Sequence, residues 1–84
     1  RAVLLRQDAA LARWACERAL AAAPDDELLL AELMRAASAL GDADGVRSAG
    51  RRLASLADDG HELRPETVAL SQELLEGRRR TRRA

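Results

Sequence analysis

Residues 30 to 53 read LAELMRAASALGDADGVRSAGRRL, and two apolar stripes separated by a turn signal decide the fold. The first stripe recurs every three or four residues, as on one face of an α-helix: Leu30, Leu33, Met34, Ala37 and Leu40. Gly41 is suited to end this helix and Asp42 to cap the next one. The second stripe has the same spacing: Val46, Ala49, Gly50, Leu53, and Leu56 or Ala57. The segment therefore predicts helices over 26 to 40 and 43 to 57, packed as an antiparallel pair.

A further helix is predicted before this pair. Asp8 can cap a helix over 8 to 22 that ends before Pro24. Its apolar positions are Ala12, Ala15, Cys16, Ala19 and Leu20. Ahead of it, the residues Val3-Leu4-Leu5 have the character of the last turn of an earlier helix that breaks near Gln7. The chain is thus expected to begin in the middle of a repeat and to be a piece of a longer protein.

A last helix is predicted over 65 to 76, because Pro65 suits a first helical position and Gly77 suits a helix end. Its apolar positions are Val68, Leu70, Leu74 and Leu75. Ala and Leu dominate the composition, while Phe and Tyr are absent and Trp occurs once. This composition favours helices over strands. We therefore expect an all-α domain of about four helices over residues 1 to 77, followed by a disordered Arg-rich tail over 78 to 84.

The helix pairs repeat with a period of 34 residues, which is the period of the tetratricopeptide repeat. A shift by that length places Gln7-Asp8 on Gly41-Asp42 and Ala12 on Val46. Several ordered segments carry a sharper resemblance: Cys16-Glu17-Arg18-Ala19-Leu20, Pro24-Asp25-Asp26-Glu27, Leu33-Met34-Arg35-Ala36, Ala39-Leu40-Gly41-Asp42 and Pro65-Glu66-Thr67. From about residue 8 to 76 the chain resembles the bacterial transcriptional activator domain, a tetratricopeptide-like helical repeat.

That resemblance implies a protein-interaction or oligomerisation module of a bacterial transcriptional regulator. The family is typically joined to a winged-helix DNA-binding domain in regulators of antibiotic pathways. It also occurs in envelope-linked bacterial proteins, which gives an alternative setting. The family usually carries an aromatic residue where Gly50 stands and another near Ser71. A partner that requires those aromatic side chains is therefore not expected to bind here in the same way.

Catalytic, cofactor and metal sites are not predicted. His61 lies in an acidic turn, which we interpret as solvated, because a dedicated metal site needs several converging ligands. Cys16 lies on an apolar stripe and is interpreted as a small core residue. The five glycines are scattered singly and form no phosphate-binding loop. We expect a non-enzymatic, cytoplasmic module without cofactors or a membrane span.

The charge is balanced overall but divided along the chain. Residues 1 to 77 carry nine Arg against fourteen acidic residues. The tail that follows carries only positive charge: Arg78, Arg79, Arg80, Arg82 and Arg83. It is interpreted as a flexible linker, and the alternative is a segment that binds nucleic acid or an anionic surface in a salt-sensitive way. Sequence-specific DNA binding by the acidic or Ala-rich helices is not expected.

Partner-binding residues are predicted at two places. The apolar residues near the N-terminus, Val3, Leu4, Leu5, Leu11 and Trp14, lack a sequence-local partner. Trp14 is expected to point away from the first apolar stripe, beside Leu11 and Arg18. We expect this face to pack on a second copy in isolation and on preceding helices in a parent protein. The remaining candidate is a concave groove around Leu30, Glu32 and Arg35.

Overall fold

The computed structural model describes the backbone of residues 2 to 83 and the side chains of residues 6 to 76. Four helices make up this part of the chain: α1 (Ala2–Ala22), α2 (Glu27–Ala39), α3 (Ala43–Asp58) and α4 (Pro65–Arg83). Residues 2 to 83 contain no strand, which confirms the all-α prediction. In the described part of the chain α2 is central, because it contacts the other three helices, whereas the described residues of α1 contact α2 alone among the helices.

The predicted bounds of α2 and α3 are confirmed to within one residue, and an aspartate caps each of them. Asp26 caps α2 by accepting the N–H of Leu29, and Asp42 caps α3 by accepting the N–H of Gly45. Gly41 and Gly60 follow α2 and α3 with φ values of 73° and 98°. In both turns the N–H groups return to the last carbonyls of the helix, as in Asp42 N to Ala37 O and His61 N to Leu56 O.

Helices α1 and α4 are longer than predicted. The expected break near Gln7 is wrong, because α1 runs without interruption from Ala2 to Ala22, and this segment contains neither Gly nor Pro. The predicted end at Gly77 is wrong as well, because α4 continues to Arg83. One interior glycine costs about 1 kcal/mol, which the helix-favouring arginines around it offset in part. The backbone of residues 78 to 83 thus continues α4, where the sequence predicts a disordered tail.

The core lies on both sides of α2. Its buried members come from α1, α2 and α3: Leu20, Leu30, Met34, Ala37, Val46, Ala49, Leu53 and Leu56. Partly buried leucines extend it toward α4: Leu29, Leu33, Leu63, Leu74 and Leu75. The predicted stripe of α3 is therefore confirmed. Among residues 6 to 22 of α1 the buried positions are Ala9, Cys16 and Leu20, whereas Ala12 and Ala15 are exposed.

Candidate protein-binding surfaces

One carboxylate joins the N-terminal ends of α2 and α4. Glu27, in the first turn of α2, accepts the backbone N–H of Arg64 at 2.8 Å and the hydroxyl of Thr67. Thr67 is buried, and its hydroxyl has a partner here. The hydrogen bond from Thr67, followed by that from Arg64, lowers the pKa of Glu27, because both stabilise the charged form. The link holds the two helices side by side with their first turns together.

A groove of about 340 Å³ lies between α2 and α4. Its lining comes from both helices and from the residue before α4: Leu28, Ala31, Glu32, Arg35, Arg64, Glu66, Thr67 and Leu70. Leu28 is 54% exposed and Leu70 is partly buried, so the groove presents aliphatic side chains to solvent. Ala31 and Thr67 are buried below them.

Each side of the groove carries an ion pair. On α2, Arg35 Nη1 lies 2.6 Å from Glu32 Oε1, and beside α4, Arg64 Nε lies 3.7 Å from Glu66 Oε2. All four side chains are exposed. Exposed pairs of this kind contribute about 0 to 1 kcal/mol to stability, so they are free to exchange partners at little cost. The groove therefore combines aliphatic contacts with donors and acceptors of both charges along its rims.

A second apolar surface lies on α1, on the side away from α2. Leu11 is 64% exposed and Trp14 is 57% exposed. The guanidinium of Arg18 lies 5.0 Å from the centroid of the Trp14 ring, within the range of a cation–π contact. The predicted direction of Trp14 is therefore confirmed. Together with the exposed Ala15 these residues form what we call the outer face of α1.

The predicted partner-binding residues divide between these surfaces. Leu11 and Trp14 lie on the outer face of α1, and Arg35 lies at the rim of the groove. Leu30 is completely buried in the core, so its assignment to a groove surface is wrong. The periodicity that identified Leu30 marks the inner face of α2, and its neighbour Leu28 is the exposed leucine. The side chains of Leu4 and Leu5 lie outside the described residues.

The Arg-rich segment at the end of the chain lies outside the residues whose side chains are described. This applies to Arg78, Arg79, Arg80, Arg82 and Arg83. Their proposed contact with nucleic acid or an anionic surface stays a prediction.

Cys16 and His61 occupy structural positions. Cys16 is buried, and burial, followed by the charges of Glu32 and Glu17, raises the pKa of its thiol. The protonated thiol is thus favoured, and the thiolate is the reactive form. The His61 N–H completes the turn after α3. Within the described residues, no group of three or more His, Cys, Asp or Glu side chains is placed to hold a metal ion.

Thr67 and Leu28 line the groove but are not predicted from the sequence. The apolar pattern of α4 selected Val68, which is 39% exposed, whereas the buried member of that turn is Thr67. A signal for Thr67 exists, because it lies three residues before Leu70, which is partly buried. Such spacing places both residues on one face of α4. The Thr67 hydroxyl donates there to Glu27, which reaches across from α2.

Comparison of the chain with protein-family models, with curated proteins and with solved structures gives no match. Among the described residues, no helix combines the length and the apolar character that crossing a lipid bilayer requires.

Proposed function

We propose that this chain is a non-catalytic protein-interaction module whose groove between α2 and α4 holds a segment of a partner protein. The groove is the observation that carries the proposal, because exposed Leu28 and partly buried Leu70 line it together with two exposed ion pairs. Peptide segments bind such surfaces through apolar anchors, and charged groups at the rim select among partners.

The helix contacts support a tetratricopeptide-like stack. With α2 and α3 taken as one pair, α4 becomes the first helix of the next pair and α1 the second helix of the preceding one. The contacts of α2 with α3, of α3 with α4 and of α2 with α4 agree with this assignment. In stacked helix pairs, repeated small rotations produce an extended concave surface that binds partners. The groove is formed by α2 and α4, the first helices of successive pairs.

A bacterial transcriptional regulator is the setting we propose for the module. This part rests on the ordered segments between about residues 8 and 76 that resemble the bacterial transcriptional activator domain. The module then contributes binding of protein segments, and DNA contacts belong to other parts of such a regulator.

Selection from a library of random peptides displayed on phage tests the groove. We expect enriched peptides to weaken at least about tenfold on Leu28→Glu, because the substitution places a carboxylate among the groove's aliphatic contacts. Leu28 is exposed in the first turn of α2, where an acidic residue is favourable, so we expect the variant to keep its fold.

Ala54→Glu is the matched control, because Ala54 is an exposed position in the middle of α3. The groove would be refuted as a peptide-binding site if the enriched peptides bound both variants as tightly as the wild type, or if no peptide were enriched from the library. Amide chemical shifts of labelled protein provide a second readout, and we expect the largest peptide-induced changes in α2 and in the first turns of α4.

A further inference from the structure

We propose that the outer face of α1 binds the same face of a second copy, with the two α1 helices antiparallel and crossing at the level of Arg13. This goes beyond the proposed function, because the surface lies on a different helix. The inner side of α1 is apolar and packs on α2 through Ala9, Cys16 and Leu20. The outer side exposes Leu11 and Trp14 as well. Exposed apolar groups gathered on one surface and rimmed by polar residues mark an interface.

The second copy is the occupant because the charges along α1 are complementary to themselves. Asp8 lies five residues before Arg13 and Arg18 lies five residues after it, and both are exposed. Each residue advances the helix by about 1.5 Å, so two antiparallel helices that cross at Arg13 bring Asp8 of each copy to the level of Arg18 of the other. The two-fold symmetry forms this pair twice.

The same crossing also matches apolar side chains by size. Leu11 comes to the level of Ala15 of the second copy, and both residues lie on the outer face of α1. A large residue thus faces a small one on each side of the two-fold axis, which lets the two helices approach closely. Arg18 already lies against the Trp14 ring within its own chain, so its guanidinium is held on this face.

The dimer is expected to be weak and to dissociate on dilution. One helix face against another gives an interface near or below about 1,200 Å², the low end for specific complexes. Sedimentation velocity over a concentration series measures the dissociation constant. We expect Leu11→Asp with Trp14→Ala to raise it about 30-fold or more, because buried Trp residues are frequent hot spots. A wild-type chain that stays monomeric throughout would overturn the proposal.

Charge exchange tests the antiparallel register. Asp8→Arg alone and Arg18→Glu alone each place two like charges opposite each other, so each variant should be monomeric where the wild type dimerises. A mixture of the two variants restores both opposite-charge pairs, so it should form a heterodimer. A mixture that stays monomeric, or single variants that dimerise like the wild type, would contradict the crossing at Arg13.

The peptide-binding groove and the α1 dimer are separate proposals, and each can be refuted without the other. Leu28→Glu changes the groove and should leave the dissociation constant of the dimer unchanged. The double variant Leu11→Asp, Trp14→Ala changes α1 and should leave the selected peptides bound. Circular dichroism melts check that all variants keep the helical fold. If Leu28→Glu disrupts the dimer and the double variant of α1 does not, the contact between copies lies in the groove. The outer face of α1 is then refuted as the dimer interface.

Discussion

Asp42 contacts Arg13 with one carboxylate oxygen and caps α3 with the other. The Arg13 Nη1 atom lies 2.8 Å from Asp42 Oδ2, and the N–H of Gly45 lies 2.9 Å from Asp42 Oδ1. The backbone N–H of Asp42 donates to Ala37 O at the end of α2. One residue therefore joins α1, the end of α2 and the start of α3.

The cap and the ion pair of Asp42 can be separated by substitution. Asp42→Ala removes both and should cost about 1 to 2 kcal/mol, of which the cap contributes about 1 kcal/mol. Asp42→Asn keeps the cap and should cost less than about 1 kcal/mol, because Arg13 and Asp42 are each about a third exposed. Urea unfolding measures both values. Equal losses for the two variants would mean that the ion pair, and not the cap, dominates.

Two glycines of α3 should respond in opposite directions to alanine. A Cβ atom at Gly45 would lie 2.7 Å from Asp42 Oδ2 and 3.0 Å from Ala37 Cβ. Gly45→Ala should therefore destabilise the chain, because Asp42 has to leave its capping position. At Gly50 the nearest atoms are Met34 Cε at 3.3 Å and Leu75 Cδ1 at 3.6 Å, the ends of flexible side chains.

Gly50→Ala should consequently stabilise the chain by up to about 1 kcal/mol through helix propensity. Thermal melts of the two variants against the wild type provide the measurement. A loss of stability on Gly50→Ala would show that Met34 cannot move in the core. A gain on Gly45→Ala would show that the Asp42 cap tolerates displacement.

The sequence predicted the centre of the fold well and its edges poorly. In α2 and α3, an aspartate cap, an apolar stripe and a terminal glycine all indicate the same bounds, and both helices were placed within one residue. In α4 the glycine signal stands alone, and Gly77 lies inside the helix instead of ending it. Glycine marks a helix end reliably when the φ angle becomes positive, as at Gly41 and Gly60.

The candidate surfaces were predicted only in part, because they depend on contacts between helices. The exposure of Trp14 follows from spacing within one helix. The groove depends on a contact between α2 and the start of α4. The backbone N–H of Arg64, just before α4, donates to the Glu27 carboxylate, which lies 37 positions earlier in the chain. Periodicity cannot show such a pairing. It assigned Val68 to the interior, and the groove predicted around Leu30 names a core residue in place of Leu28.

Substitutions at Leu53 and Leu33 allow a buried core position to be compared with a partly buried one. Leu53 is almost completely buried between α2 and α3, whereas Leu33 packs against the edge of the core. Leu53→Ala should cost about 2 to 5 kcal/mol, and Leu33→Ala should cost less, because part of its side chain already contacts water. Chemical unfolding at one pH gives both values. A larger loss for Leu33→Ala would contradict the burial order.

Glu27 should make the stability of the chain depend on pH. Its pKa is lowered in the folded chain, chiefly by the Thr67 hydrogen bond and then by the Arg64 N–H. The folded state therefore favours the charged carboxylate. The stabilisation is present above the pKa that Glu27 has in the unfolded chain, and it is lost as the pH falls through the lower pKa of the folded chain.

The variant Glu27→Gln isolates this contribution, because an amide keeps an acceptor oxygen and removes the titrating charge. The difference in unfolding free energy between wild type and variant should be largest near neutral pH and should shrink as the pH falls below the ordinary range of glutamate. Glu73→Gln is the control, because Glu73 lies on the exposed side of α4. In a Thr67→Val background the effect of Glu27→Gln on the unfolding free energy should be smaller. The substitution removes the hydrogen bond that contributes most to lowering the pKa of Glu27. If the difference between Glu27→Gln and wild type is constant across the acid range, or equals that of Glu73→Gln, the carboxylate does not hold α4 against α2.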